Sequence, residues 1–358
     1  MENNVMHKLQ SALTTAQADA FLIVNGVNRR YLTGFTSSAG WLLVTRNGAE
    51  LLVDSRYIEA ARAQAKNCTV RTFTKMFDTL RERMTAHGVK TVMVEQSYTT
   101  LAAWANLKEK LEGFTLLDSD ALDKAIGALR QIKTEADLDS LRQAQQITED
   151  AFAYMLTYLK PGVTERDAAL ELEMFMRRRG AERVAFDLIV VSGAKSSMPH
   201  GVPGGKVIEP GDFVTMDTGC VVGGMHSDMT RTVAIGFVTE EQRKVYDTVL
   251  QAQENAIAAV RAGVACCDVD EAARSVIRDA GYGAYFGHST GHSVGYEIHE
   301  APNFAPASEA IAEENMVLTI EPGIYLPGKF GVRIEDMVRV TKDGCEDLTH
   351  APKELIIL

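Results

Sequence analysis

The chain has 358 residues, 46% of them apolar and 24% charged, and carries a net charge of −11 at neutral pH. That length allows two or three domains of ordinary size, and the composition is that of a globular protein in water, with no disordered or low-complexity stretch. The acidic balance leaves no basic face for reading phosphates, so no nucleic-acid partner is expected.

The opening stretch MENNVMHKLQ lacks the basic head and apolar run of a secretory signal. ADAFLIVN (18–25), GWLLVT (40–45), AELLVD (49–54) and VKTVMVE (89–95) are short apolar runs bounded by polar or turn residues, and they predict strands. Between them IEAARAQA (58–65), LRERMTAHG (80–88) and LAAWANLKEKLEG (101–113) have helical spacing. The alternation predicts a small α/β domain over 1–128.

From about 132 the texture changes. Leu138, Leu141, Ala144, Ile147, Ala151 and Met155 keep the three-to-four spacing of a long amphipathic helix, which Lys160-Pro161-Gly162 stops. Thr164 caps a further helix running to Gly180, and RRRG at 177–180 reads as its solvated end. Hairpin signals and two more helices, near 239–261 and 268–280, complete a second domain over 129–358 of α+β character. No dinucleotide fingerprint, Walker loop or GxSxG elbow occurs. The longest apolar runs, LIVV at 188–191 and the closing LIIL, are too short to span a bilayer, so no membrane contact and a cytoplasmic location are expected.

Acids and histidines gather in the second domain. Six of the eight histidines lie between 200 and 350, three of them (His288, His292, His299) in GHSTGHSVGYEIHE at 287–300. GDFVTMDTG (211–219) is a strand ending on Asp217, and after a glycine-rich turn HSDMTRTVAIG (226–236) returns with Asp228 near its start. MVLTIEPG (316–323) ends on Glu321, and VRIEDMVRV (332–340) returns with Glu335. Period-two alternation puts Arg333, Glu335 and Met337 on one face of that strand and Asp336 on the other. Acids buried on strands are costly unless a cation compensates them. Five cysteines (Cys68, Cys220, Cys266, Cys267, Cys345), odd in number and without CxxC spacing, fit neither a disulfide framework nor a thiolate site. Oxygen and nitrogen ligands therefore remain, a donor set suited to Mn²⁺, Co²⁺ or Fe²⁺, with Zn²⁺ also compatible. Four carboxylates around one divalent ion over-compensate it, and two ions balance them.

With these motifs the chain resembles the pita-bread metallopeptidases, and within them the Xaa-Pro dipeptidase (prolidase) and aminopeptidase P branch. RYLTGFTSSAGWLLVT and LLVDSRY resemble the creatinase/prolidase N-terminal domain, and SSMPHG, VTMDTG, HSDMTRT, GHSTGHSVGYEIHE, TIEPGIY and GVRIED follow in the family's order. The resemblance implies a pita-bread catalytic domain and cleavage of the bond before proline by a metal-bridging hydroxide. It implies two metal ions, Mn²⁺ foremost, held by Asp217, Asp228, His292, Glu321 and Glu335, with Asp228 and Glu335 bridging. Glu321 would also accept a proton, His200 would contact substrate or shuttle a proton, and His299 would steady the oxyanion. His288, Tyr325 and Arg333 match substrate-binding positions of the Xaa-Pro branch. Arg333 would either bind a dipeptide's carboxylate or orient neighbouring acids.

Short proline-containing peptides are the implied substrates and a homodimer the implied assembly, in which Asp54, Arg56 and Tyr57 would reach a partner's site. Ser293 and Phe330 stand where glycine is usual, and His226, His350, His7 and His87 take no ligand role. Methionine aminopeptidase, creatinase-like and non-catalytic readings of the fold are the alternatives.

Overall fold

The computed structural model describes residues 5–358, and the first four residues of the opening MENNVMHKLQ stretch lie outside them. The chain divides into two compact units, Met1–Arg130 and Gln131–Leu358.

The first unit is built on a six-stranded mixed sheet. Its strands are β1 (Ala20–Ile23), β2 (Trp41–Thr45), β3 (Gly48–Val53), β4 (Thr69–Thr72), β5 (Thr91–Val94) and β6 (Thr115–Leu117), in the order β4-β3-β2-β1-β5-β6. Strand β1 is buried along its whole length because alternate residues feed two cores. Phe21 and Ile23 enter one core and Ala20 and Leu22 the other. The helices are α1 (Val5–Thr15), α2 (Gly26–Thr33), α3 (Ile58–Gln64), α4 (Met76–Ala86), α5 (Leu101–Lys110) and α6 (Ala121–Gln131). Alternation of runs predicts four of these strands and three of the helices. The short strands β4 and β6 lie at the two ends of the sheet, and α1, α2 and α6 complete the unit. In the DSRY stretch the charges satisfy one another: Arg56 reaches Asp54 at 2.7 Å, and the Tyr57 hydroxyl lies 2.6 Å from Ser38 Oγ.

The second unit opens with two helices, α7 (Glu135–Tyr158) and α8 (Glu165–Arg178). Thr134 and Thr164 cap their N-termini by accepting the amides of Asp137 and Asp167. Two short strands follow, β7 (Arg183–Val184) and β8 (Ile189–Ser192). The first acidic hairpin is nested. Its outer pair is β9 (Phe213–Thr218) with β12 (Met229–Ala234), and its inner pair is β10 (Cys220–Val222) with β11 (Met225–His226), in a different sheet. Gly219 sits at the crossing, where a Cβ would lie 2.0 Å from the Ser227 carbonyl oxygen. Only glycine fits there.

Helices α9 (Glu240–Ala259) and α10 (Cys266–Asp279) lead into β13 (Gly291–Ser293) and β14 (Glu300–Phe304). The second acidic hairpin repeats the design of the first. β15 (Val317–Ile320) pairs with β18 (Asp336–Val340), and β16 (Gly323–Leu326) pairs with β17 (Phe330–Arg333) in a separate two-stranded sheet. A last strand, β19 (Cys345–Asp347), borders β18. Two expectations need correction here. The return strands expected over 226–236 and 332–340 are each broken, at Ser227-Asp228 and at Ile334-Glu335, because each limb changes sheet at that point. Met337 consequently leaves the Arg333 and Glu335 face and packs in an apolar cluster with Leu138, Leu141 and Val294. Phe330 is buried edge-on against Phe213, a packing role. Among the described residues no helix is long and apolar enough to cross a membrane.

Candidate metal centre

The nested hairpins explain where the acids stand. Asp217 lies near the end of β9 and Glu321 just past β15, while Asp228 and Glu335 occupy the two breaks. At a break a residue leaves its ladder, so its side chain can turn inward from a point where backbone pairing has been handed over. Register keeps Asp217 and Asp228 diagonal, since Asp217 faces Thr230 across the β9–β12 ladder. The two hairpins are joined behind the acids: the Glu335 amide donates to the Thr230 carbonyl at 3.0 Å, and Thr230 Oγ1 donates to Glu335 Oε2 at 2.7 Å.

The histidine motif enters the five-stranded sheet as β13, between β14 and β15, and no helix forms there. Gly291 is required by a close approach, since a Cβ would lie 1.8 Å from the Thr319 carbonyl oxygen. The His292 ring donates from Nδ1 to the Ser293 carbonyl at 3.1 Å, which leaves Nε2 facing Asp228 at 3.5 Å and Glu321 at 3.6 Å. Burial, and then the neighbouring His299, push its pKa down to about 4, so the ring is neutral at physiological pH with its lone pair available. Its contacts with the acids are therefore not ion pairs.

One ligand atom from each of Asp228, His292 and Glu335 lies within 4.8 Å of the others. Burial raises the pKa of all three central acids, and mutual repulsion adds to it: Asp228 and Glu335 go well above the carboxylate range, and Glu321 is pushed up to about 8. Asp217 Oδ1 is buried without a hydrogen-bond partner. An orphaned carboxylate oxygen, three acids that resist ionisation and a neutral imidazole are what a site shaped for divalent cations presents without them. The donor set is oxygen and nitrogen, and all five cysteines are free thiols elsewhere.

These residues share one cavity of about 600 Å³. Asp217, Asp228, His292, Glu321 and Glu335 line it together with His200, His288, His299 and Arg333. The His299 ring packs edge-on against His292, with centroids 4.4 Å apart. Tyr325 stands behind the wall in a chain of hydrogen bonds. Arg333 Nη1 donates to its hydroxyl at 2.8 Å, and the hydroxyl donates to His288 Nε2 at 2.8 Å. Burial holds the phenol up at about 12 and pushes His288 down to about 4, so both stay neutral. Arg333 also donates to Asp217 at 2.7 Å and to Thr230 Oγ1 at 3.0 Å. Of the two roles open to Arg333, its contacts are those of a residue that orients acids.

His226 stands apart, its Nδ1 donating to the Gly295 carbonyl and its Nε2 accepting from Arg183. Asp336 points away from the cavity to Arg231, Lys353 and Gln253. Sequence reasoning missed three supporting residues. Arg231 spends all five N–H groups, on Pro352 O, Thr230 O, Glu335 O, Asp336 and Ala351 O. Asp270, on α10, accepts the Thr290 amide and hydroxyl and pairs with Arg274, which donates to the carbonyls of Phe286 and His288. Nothing local marks them, since Arg231 reads as an outward strand position and Asp270 with Arg274 as an ordinary i,i+4 pair.

A model of metallopeptidase family M24 matches residues 139–342, and one of the creatinase/prolidase N-terminal domain matches residues 6–132. A curated Xaa-Pro dipeptidase of Pyrococcus horikoshii is 35% identical over 355 residues, covering 99% of both chains. Among solved structures, an Xaa-Pro dipeptidase from Bacillus anthracis matches with a TM-score of 0.95 at 40% identity over 99% of each chain. An X-Pro aminopeptidase from Thermotoga maritima matches with a TM-score of 0.91 at 36% identity, again over 99% of each.

Proposed function

Because the chain belongs to metallopeptidase family M24, with a creatinase/prolidase N-terminal domain ahead of the peptidase domain, we propose that it hydrolyses the peptide bond before proline in short peptides. In this reading Asp217, Asp228, His292, Glu321 and Glu335 hold two divalent ions, manganese foremost, with Asp228 and Glu335 shared between them. The observation that carries it is the convergence of Asp228, His292 and Glu335 within 4.8 Å, beside two further acids, in a cavity walled by three more histidines. Bound there, the ions supply Lewis acidity and lower the pKa of a water enough for it to attack a carbonyl at neutral pH.

The remaining work falls to side chains. Glu321 takes the proton of the attacking water. His299, against His292 at the cavity wall, donates to the oxygen that gains charge as the carbonyl carbon becomes tetrahedral. A prolyl nitrogen has no N–H and must be protonated as it leaves, and His200 is the histidine assigned to deliver that proton. His288, fixed by Tyr325, shapes the wall for the ring. Arg333 keeps Asp217 and Tyr325 in place.

The names of similar proteins divide between dipeptidase and aminopeptidase. A panel of Ala-Pro, Ala-Pro-Ala, Met-Ala and creatine, each tried with Mn²⁺, Co²⁺ and Zn²⁺, tests the proposal. Cleavage of one or both proline peptides, lost on chelation, is expected. Hydrolysis of Met-Ala or creatine with both proline peptides left intact would refute it.

A further inference from the structure

The cavity owes one wall to a single loop. Pro199, His200, Gly201, Val202 and Pro203 are consecutive lining residues, and they belong to the span between Ser192, at the end of β8, and Gly204. Within the loop Ser196 is buried and its hydroxyl accepts the Gly331 amide at 2.8 Å, and Arg333 Nη1 donates to the Pro199 carbonyl at 3.3 Å, but Met198 is 57% exposed and Val202 76% exposed. Both of its ends nevertheless meet at one carboxylate. Glu165, the first residue of α8, has no exposed surface. Its Oε1 accepts the Ser192 amide at 2.8 Å and the Ser192 hydroxyl at 3.2 Å. Its Oε2 accepts Lys195 Nζ at 2.7 Å and the Gly204 amide at 3.0 Å. The neighbouring backbone reinforces the far end, where the amides of Glu165 and Arg166 donate to the carbonyls of Lys206 and Gly204, both at 3.0 Å.

We propose that Glu165 is a positioning residue for substrate binding: its buried carboxylate clasps the 193–203 loop at both ends and thereby fixes where His200 stands in the cavity. The proposal rests on the reading of this cavity as the peptide site. Both oxygens of this buried side chain accept, two donors each, and an amide in its place turns one acceptor into a donor that faces Lys195 and Gly204 or Ser192. Glu165→Gln therefore keeps the volume of the side chain and opens the clasp at one end. Lys195→Met removes a single donor and leaves the others.

The test measures both variants in the full-length protein. Calorimetric titration with Mn²⁺ is expected to give parental stoichiometry and affinity, since Glu165 is bonded to none of the five candidate ligands. Hydrogen exchange should accelerate at Ser192, Gly204 and the amides between them. KM for a proline peptide is expected to rise about tenfold in Glu165→Gln, the equivalent of one charge-assisted bond, and less in Lys195→Met. A double-mutant cycle of Glu165→Gln with His200→Ala should be strongly non-additive in kcat/KM, an outcome that a general loss of stability does not produce. Additive effects, unchanged exchange in the loop, or lost Mn²⁺ binding in both variants would overturn the clasp. If the parental protein cleaves no proline peptide, the functional reading fails first, and the exchange measurement still decides whether Glu165 holds the loop.

Discussion

Two residues that line the same cavity have opposite surroundings, and their surroundings suit them to different work. Glu335 is 1% exposed, accepts from Thr230 Oγ1, and is repelled by Glu321 and Asp217. His299 is exposed at the cavity wall and packs against the ligand candidate His292 without joining the acids. On the proposed two-ion reading, Glu335→Gln removes one negative charge from the shared position and offers an amide where the cations would need an anion. It is expected to abolish turnover and to weaken uptake of both ions together. His299→Ala leaves every candidate ligand in place, so on the same reading the metal content should stay at the parental level while kcat falls about 10²- to 10³-fold, as for loss of one oxyanion donor. Metal analysis beside steady-state rates separates the two. Full metal content in Glu335→Gln, or metal loss in His299→Ala, would reverse these roles.

At the scale of elements, the pita-bread domain builds its centre from one device used twice, a nested hairpin whose return limb breaks where it changes sheet. Arg231 locks the two copies together. Its guanidinium holds the Thr230 carbonyl of one hairpin and the Glu335 carbonyl of the other, and it pairs with Asp336, which has no exposed surface. Arg231→Met leaves Asp336 to Lys353 and Gln253 alone, at a cost of about 3 kcal/mol. It should also weaken Mn²⁺ binding about tenfold, the low end for groups that orient metal ligands. A urea midpoint with a Mn²⁺ titration checks both, and full affinity despite lost stability would mean that each hairpin sets its own ligands. This device was half legible in the sequence. Alternation correctly sent Glu335 and Asp336 to opposite sides, because side-chain direction is a local property of an extended chain. Helix α8 was legible from Thr164 for the same local reason. The breaks were not, since they depend on Glu335 bonding to Thr230, 105 positions away. Glycines at 287, 291 and 295 make a continuous helix improbable, yet the carbonyl that requires Gly291 belongs to Thr319 on another strand.

For the whole molecule, an unfilled acid cluster must be visible in stability. In the ion-free fold Glu321 keeps its proton up to about pH 8, and Asp228 and Glu335 are also raised far above their ordinary values by burial and mutual repulsion. In the unfolded chain the same groups ionise near pH 4 to 4.5, roughly the reference range. Between those limits the native state binds more protons than the unfolded state, so stability falls as pH rises, by about 1.4 kcal/mol per pH unit for each retained proton. The buried histidines act in the opposite sense, since His288 and His292 titrate near 4 in the fold, but their effect is spent above about pH 6.5, the ordinary imidazole value. Asp347, raised to about 6, has also finished titrating by then. The informative window is therefore pH 6.5 to 8. There the chelator-stripped protein should lose melting temperature steadily. If these acids are the metal ligands, as proposed, Mn²⁺ keeps them ionised and the loaded protein should stay nearly flat. The same linkage requires Mn²⁺ to bind more tightly as pH rises through this window and to release protons as it binds, which calorimetry in buffers of different ionisation enthalpy measures directly. Parallel melting profiles for the stripped and loaded forms, or binding without proton release, would show that these carboxylates are not the ones that hold the ions.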